Sequence, residues 1–262
     1  MHDIIRQRFK QALPTGIDFC SLRFSTERTE TISMRRGSLE PVSSVTDRGL
    51  MVTVHSGGGL GYAATPDFSV ASIRAAILRA KRWAEHTGTK SVIDTRQLSL
   101  GHPVGEYSSP VERPWNSVPL SEKLDILAQV DQQLPIDKRI VEWTSDLVGI
   151  QVESLYLTSD GGDVVQSHEI VSPDLMAIAN QGSETQRRSL GARGISRQGG
   201  FELVYNSGFL NMAPVIASEA LQLLDAPNCP SGDMDLLLYP DQMMLQIHES
   251  IGHPLELDRI LG

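Results

Sequence analysis

Residues 140–171, IVEWTSDLVGIQVESLYLTSDGGDVVQSHEIV, constrain this chain more than any other stretch. β-Branched and aromatic residues recur through it, and Asp160-Gly161-Gly162 supplies a turn with glycines where positive φ is needed. The pattern stays β-rich from 139 to about 205. A second β-rich stretch lies nearer the N-terminus, with strands expected at 17–25, 29–35, 39–45, 49–55 and 60–64. Gly57-Gly58-Gly59 then reads as a hairpin turn. It lacks the Lys-Ser/Thr ending of a phosphate loop and leads into a strand. A short helix is expected at 3–12 and a longer one from Ser69 to His86. In the longer helix Val70, Ile73, Ala76, Ile77, Ala80 and Ala84 fall at helical spacing, and Gly88 ends it. Strands followed by a packing helix predict an α+β fold.

Residues 101–119 hold Pro103, Pro110, Pro114 and Pro119 and read as a linker. Ser121 is the expected cap of a helix striped by Leu124, Leu127, Val130 and Leu134, and Pro135 stops it. A further helix is expected over 213–225 with Pro214 at its start. A short strand from Asp235 to Tyr239 then leads to Asp241, the expected N-cap of a last helix. Met243, Met244, Ile247 and Ile251 would form its buried face, the Met pair as core filling. The division expected is an N-terminal α+β domain with its linker (1–108), a β-rich middle domain (109–230), and the start of a C-terminal catalytic domain (231–262). We find no internal repeat and no low-complexity tract.

The 262 residues allow one large domain or two ordinary ones. Hydrophobic content of 40% and charged content of 21% are those of a soluble globular protein. A net charge of −9 and a pI near 5.2 exclude broad nucleic-acid affinity, which needs a basic surface. The local basic cluster Arg187, Arg188, Arg193 and Arg197 reads as a solvated hairpin. The N-terminus, MHDIIRQRFKQALP, has scattered charges and no apolar core, so it is not a secretory signal. No stretch approaches the ~18 apolar residues of a membrane span. Two cysteines, Cys20 and Cys229, are too few for a disulfide framework, and a cytoplasmic setting fits. Cys20 reads as a small core residue.

The chemistry lies in His248-Glu249-Ser250-Ile251-Gly252-His253, an HExxxH motif. Two imidazoles beside a carboxylate point to a metal held by nitrogen with a general base next to it. In the more familiar HExxH, ligands at i and i+4 lie ~40° apart around a helix. At i and i+5 they lie ~140° apart, and a straight helix does not aim both at one ion. A kink or π-bulge is therefore expected across Ser250 to His253. Gly252 suits a strained backbone, and Pro254 biases His253 away from helical angles. The competing reading is a core histidine at 248 and a helix-capping one at 253. His168-Glu169 also reads HE, but it sits in a β-like run with no second His in reach, and it is read as structural.

HESIGHPLELD resembles the active-site segment of the TldD/PmbA metallopeptidases, TldD-like members in particular. His248, Glu249, His253, Leu255, Glu256 and Asp258 fall on the family pattern, while Pro254 and Leu257 stand where it has small residues. SEALQLLDAPNCPSGDMDLLLYPDQMMLQ resembles the approach to the motif, and SMRRGSLEPVSSVTDRGLMVTVHSGGGLGYAAT resembles the family's first domain. The resemblance implies a zinc-dependent peptidase (cofactor Zn2+) acting on peptides or unfolded protein segments. His248 and His253 would be ligands, Glu249 the general base, and Glu256 and Asp258 would hydrogen-bond the imidazoles from behind. It further implies a third ligand, a cysteine far downstream, for which Cys229 is a weak local stand-in. The chain is accordingly expected to be an N-terminal portion. The partner implied is a PmbA-like subunit in a hetero-dimer, with a homodimer equally open. No nucleic-acid or membrane partner is expected. Two other readings stay open: a catalytically incomplete short form that binds a partner or peptide, and a zinc hydrolase of a non-peptide amide.

Overall fold

A computed structural model of the chain describes residues 1–256 and Arg259, without the side chains of Ala192, Arg193 and Asp241. It forms two compact units, Met1–Leu224 and Asp225–Gly262. The first begins with α1 (His2–Ala12), which buries Ile5, Phe9 and Ala12 along one stripe. The strands β1 (Phe19–Arg35), β2 (Ser38–Leu39), β3 (Ser43–Ser56) and β4 (Gly59–Thr65) follow. α2 (Val70–Thr87) is capped by the Ser69 hydroxyl, which accepts from the Ser72 N–H at 3.2 Å. Next come β5 (Val104–Ser108), α3 (Leu120–Asp131), β6 (Ile140–Thr158), β7 (Asp163–Gln181), β8 (Glu184–Ser189) and β9 (Arg197–Gln198). α4 (Glu202–Asn206) and α5 (Phe209–Leu224) complete the unit.

One sheet joins these strands in the order β4-β3-β1-β6-β7-β5. The outer edge of β7 is shared: β5 pairs with it in parallel, β9 and β8 antiparallel. The fold is α+β, as the pattern of elements predicts. Both expected hairpins are present. In the β3–β4 turn Gly57 and Gly58 have φ of 60° and 84°, the two positive values a tight hairpin requires. In the β6–β7 turn Gly161 has φ 98°.

The strand boundaries differ from those expected. Residues 17–25 and 29–35 form one strand, because Glu27 and Arg28 pair without a break with Asp47 and Thr46 on β3 and with Val152 and Gln151 on β6. Residues 101–119 are not a bare linker. Val104–Ser108 forms β5, an exposed edge strand with little apolar signal, and Trp115 is buried. α3 starts at Leu120 with Pro119 as its cap residue, so Ser121 is already inside the helix. α5 begins at Phe209 and carries Pro214 within it, where one ladder bond is lost but packing of Phe209, Ala213, Ile216, Ala217 and Ala220 compensates. Residues 202–206 are helical rather than β. Arg187 and Arg188 stand exposed on β8, and Arg188 pairs with Glu219 at 2.5 Å.

Two hydrophobic cores form on one face of this sheet. Cys20, Leu22 and Phe24 of β1 join α1 and α2 in the first, and Ile32 joins α3, α4 and α5 in the second. All four are even-numbered on a period-two strand, so they share a face. Each fully buried Leu, Ile or Phe contributes about 1.5–3 kcal/mol. α2 sits close to β4 because both are lined with small residues: a Cβ on Gly61 would lie 2.1 Å from the Ala80 carbonyl oxygen. In the second core, Trp115 crosses over Gly149 of β6. Its indole N–H donates to Glu30 Oε2 at 2.7 Å, and Lys123 Nζ reaches the same oxygen at 2.6 Å while lying 4.1 Å from the Trp115 ring centroid. Glu169 of the HE decoy is structural: Oε1 accepts from the Trp115 N–H at 2.5 Å and Oε2 from Gln151 at 2.9 Å. Cys20 is fully buried, and burial pushes its thiol pKa up to about 12.

Candidate metal centre

The motif lies in the second unit. Residues 235–239 run in irregular conformation and not as the expected strand, with Leu236, Leu237 and Tyr239 exposed. A lone strand without a partner has no ladder to stabilise it. α6 (Pro240–Ile247) starts at Pro240 with Tyr239 as its cap residue, two positions before the expected Asp241. Proline suits this place, since the first N–H of a helix has no partner in any case. Of the face expected to be buried, Met243 is half-buried, while Met244, Ile247 and Ile251 are 65%, 49% and 53% exposed.

The helix widens where the His spacing requires it. His248–Gly252 forms a π turn, and the His253 N–H donates to the His248 carbonyl five residues back. A tight turn, His253–Leu255, follows. The expected cause is only partly right. Gly252 has φ −59° and ψ −55°, an unstrained helical conformation, and the nearest atom to a Cβ there would be 3.8 Å away. His253 is helical as well, at φ −65° and ψ −41°, despite Pro254. Pro254 has no N–H to continue the ladder, so regular hydrogen bonding stops here whichever residue precedes it.

The π turn brings His248, Glu249 and His253 together. One ligand atom from each lies within 4.8 Å of the others, and the two rings stand 4.4 Å apart, tilted by 71°. The Glu249 carboxylate is 3.9 Å from His248 Nε2 and 3.5 Å from His253 Nε2. On its far side His253 donates from Nδ1 to Glu256 Oε1 at 2.8 Å. An ionised carboxylate only accepts, so this contact puts the proton on Nδ1 and leaves Nε2 free toward Glu249. The Glu256 contact raises the His253 pKa above its ordinary value. The imidazole in turn holds the Glu256 carboxyl below the usual carboxylate range, with help from Arg259. Arg259, 3.3 Å from Glu256, is a further neighbour with no strong signal in the sequence beyond its i, i+3 spacing. Asp258 lies outside the described residues. Cys229, exposed in the connector, is not among the clustered donors.

Two family descriptions match: residues 20–84 correspond to "PmbA/TldA metallopeptidase domain 1" and residues 113–225 to "PmbA/TldA metallopeptidase central domain". Together they cover about two thirds of the chain. The chain belongs to the TldD/PmbA family. Among curated relatives, a "Metalloprotease" of Methanothermobacter thermautotrophicus is 28% identical over 94% of this chain and 52% of its own length. A "Metalloprotease TldD homolog" of Haemophilus influenzae is 24% identical over 93% and 50%. The chain spans about half the length of the curated relatives it matches. Two solved structures share the fold. One, from Thermotoga maritima, has TM-score 0.64 at 16% identity, over 88% of this chain and 50% of that one. The other, TldE from Thermococcus kodakarensis, has TM-score 0.50 at 18% identity, over 85% and 46%. Among the described residues no helix of this TldD/PmbA member is long and apolar enough to cross a membrane.

Proposed function

We propose that this chain carries the metal-binding and base-supplying part of a TldD-type zinc metallopeptidase. The observation that carries the reading is the π turn, which gathers two imidazoles and a carboxylate within 4.8 Å at a spacing a regular helix does not allow. The donor set fits zinc, which takes imidazole nitrogen and carboxylate oxygen. A bound zinc ion supplies Lewis acidity toward a peptide carbonyl and lowers the pKa of water. His248 and His253 would hold the metal. Glu256 keeps the His253 ring oriented by accepting its Nδ1 proton, and Asp258 is proposed for a similar service. Glu249, 3.5 Å and 3.9 Å from the two Nε2 atoms, takes a proton from the attacking water on its carboxylate and delivers it to the leaving amine.

The third ligand is a cysteine supplied from outside these 262 residues. The substrates are peptides or unfolded segments, a class supported by the metalloprotease names of the relatives. The working form is a dimer with a PmbA-like subunit or with a second copy, in the cytoplasm. The three-part division at 108 and 230 stays a proposal: the gap between the matched segments spans 108, while one sheet joins the first two parts into the single unit Met1–Leu224. The test is Glu249→Gln in the intact protein. Retained metal with peptide cleavage reduced about 10²–10⁴-fold supports the base. Unchanged cleavage removes Glu249 from the mechanism.

A further inference from the structure

The first unit carries an open pocket lined by none of the motif residues. The odd-numbered residues of β1 point away from both cores. At the start of the strand Phe19 pairs with His55, and Arg23 stands between Met51 of β3 and Tyr156 of β6. The segment 100–103 borders one side, and the open pocket so formed has a volume of about 670 Å³. Small-molecule sites typically measure ~300–1,000 Å³ and combine apolar walls with a few convergent polar groups. Phe19, Met51 and Tyr156 provide such walls, and Arg23, His55 and His102 the polar groups.

The charges decide what fits. No Asp or Glu lines the cavity, in a chain whose net charge is −9. The Arg23 guanidinium is exposed and makes no ion pair or hydrogen bond among the described residues, so its donors are available. His55 is only 5% exposed, and its Nδ1 finds no hydrogen-bond partner among the described residues. A buried polar nitrogen left unpaired is costly, and such groups in native proteins are met by a partner, a water or a ligand. Burial lowers the His55 pKa, which the charge of Asp18 opposes, so this ring presents itself as a neutral partner and Arg23 as the cation.

We propose that this cavity binds a small apolar carboxylate, with Arg23 receiving the carboxylate and Phe19, Met51 and Tyr156 holding the apolar body. Arg is suited to the role because its planar fork matches a carboxylate. A free organic acid and the C-terminus of a short peptide share this chemistry. The site uses only residues of Met1–Leu224, so its failure and that of the Glu249 assignment are separate results.

The test titrates the intact protein with three probes: 3-phenylpropionate, acetyl-Gly-Phe with a free carboxylate, and 3-phenylpropan-1-ol. Methionine methyl NMR reads the site through Met51. We expect a saturable shift of the Met51 methyl with at least one acid, binding about tenfold or more tighter than the alcohol. The tighter acid identifies the source. Arg23→Gln, at an exposed position, should bring the acid down to the affinity of the alcohol while leaving the urea unfolding midpoint in place. No saturable shift at Met51 with either acid, or equal binding of acid and alcohol, overturns the proposal.

Discussion

Gly149→Ala is the substitution whose cost the structure predicts most sharply. A Cβ at this position would lie 2.2 Å from Cδ2 and from Cε2 of Trp115. Carbon atoms in ordinary contact stand ~3.5–4.0 Å apart, so the indole has to retreat by roughly 1.3 Å or more. It is poorly placed to do so. Trp115 is 1% exposed, its N–H groups are bonded to Glu30 and Glu169 at 2.7 Å and 2.5 Å, and Lys123 lies over its ring. A retreat of that size strains the Glu30 contact, and if this bond to a charged group is lost the further cost is about 1.5–3 kcal/mol. Overpacking adds about 1–3 kcal/mol. The expected destabilisation is therefore about 1–3 kcal/mol from overpacking alone and up to about 6 kcal/mol where the Glu30 bond is lost as well. The sign is informative, because in a strand without this contact Ala is the better residue by about 0.5–1 kcal/mol. Urea unfolding followed by tryptophan fluorescence measures it. Gly149→Ala combined with Trp115→Phe should be less destabilised than the sum of the two single changes, since the smaller ring vacates part of the space. A cost below about 1 kcal/mol for Gly149→Ala would refute the reasoning.

Two predictions concern the motif. Gly252→Ala should hold metal within about threefold of wild type, because the residue is helical with room for a Cβ; a loss beyond about tenfold would show that the π turn needs glycine there. Glu256→Gln should lower the His253 pKa in metal-free protein, since the Glu256 carboxylate favours the imidazolium and raises it. An NMR titration that leaves the His253 midpoint unmoved or higher would contradict the 2.8 Å contact.

Much of this was legible in the sequence because local rules settled it. Asp160-Gly161-Gly162 and Gly57-Gly58-Gly59 each sit where a hairpin needs positive φ, and Ser69 caps the helix that its spacing announces. The His248–His253 spacing alone implied a widened turn, and one is present. What stayed hidden depends on distant partners. Glu27 and Arg28 look like a turn until β3 and β6 are known to flank them on both sides. Val104–Ser108 is a strand because the edge of β7 is open to it, not because its own residues alternate. The role of Glu30 rests on Trp115 and Lys123, about ninety residues away in sequence. In the second unit, Met244, Ile247 and Ile251 show a face at helical spacing, yet spacing does not say what, if anything, covers it.

The most direct test of the central claim is the zinc content of the intact protein after loosely held ions are removed, in wild type, His248→Ala and His253→Ala. The account predicts about one zinc per chain in wild type and its loss in each variant, with the fold of the first unit retained. A wild-type protein that holds no zinc, or a His253→Ala variant that keeps it, would contradict the assignment of His248 and His253 as ligands.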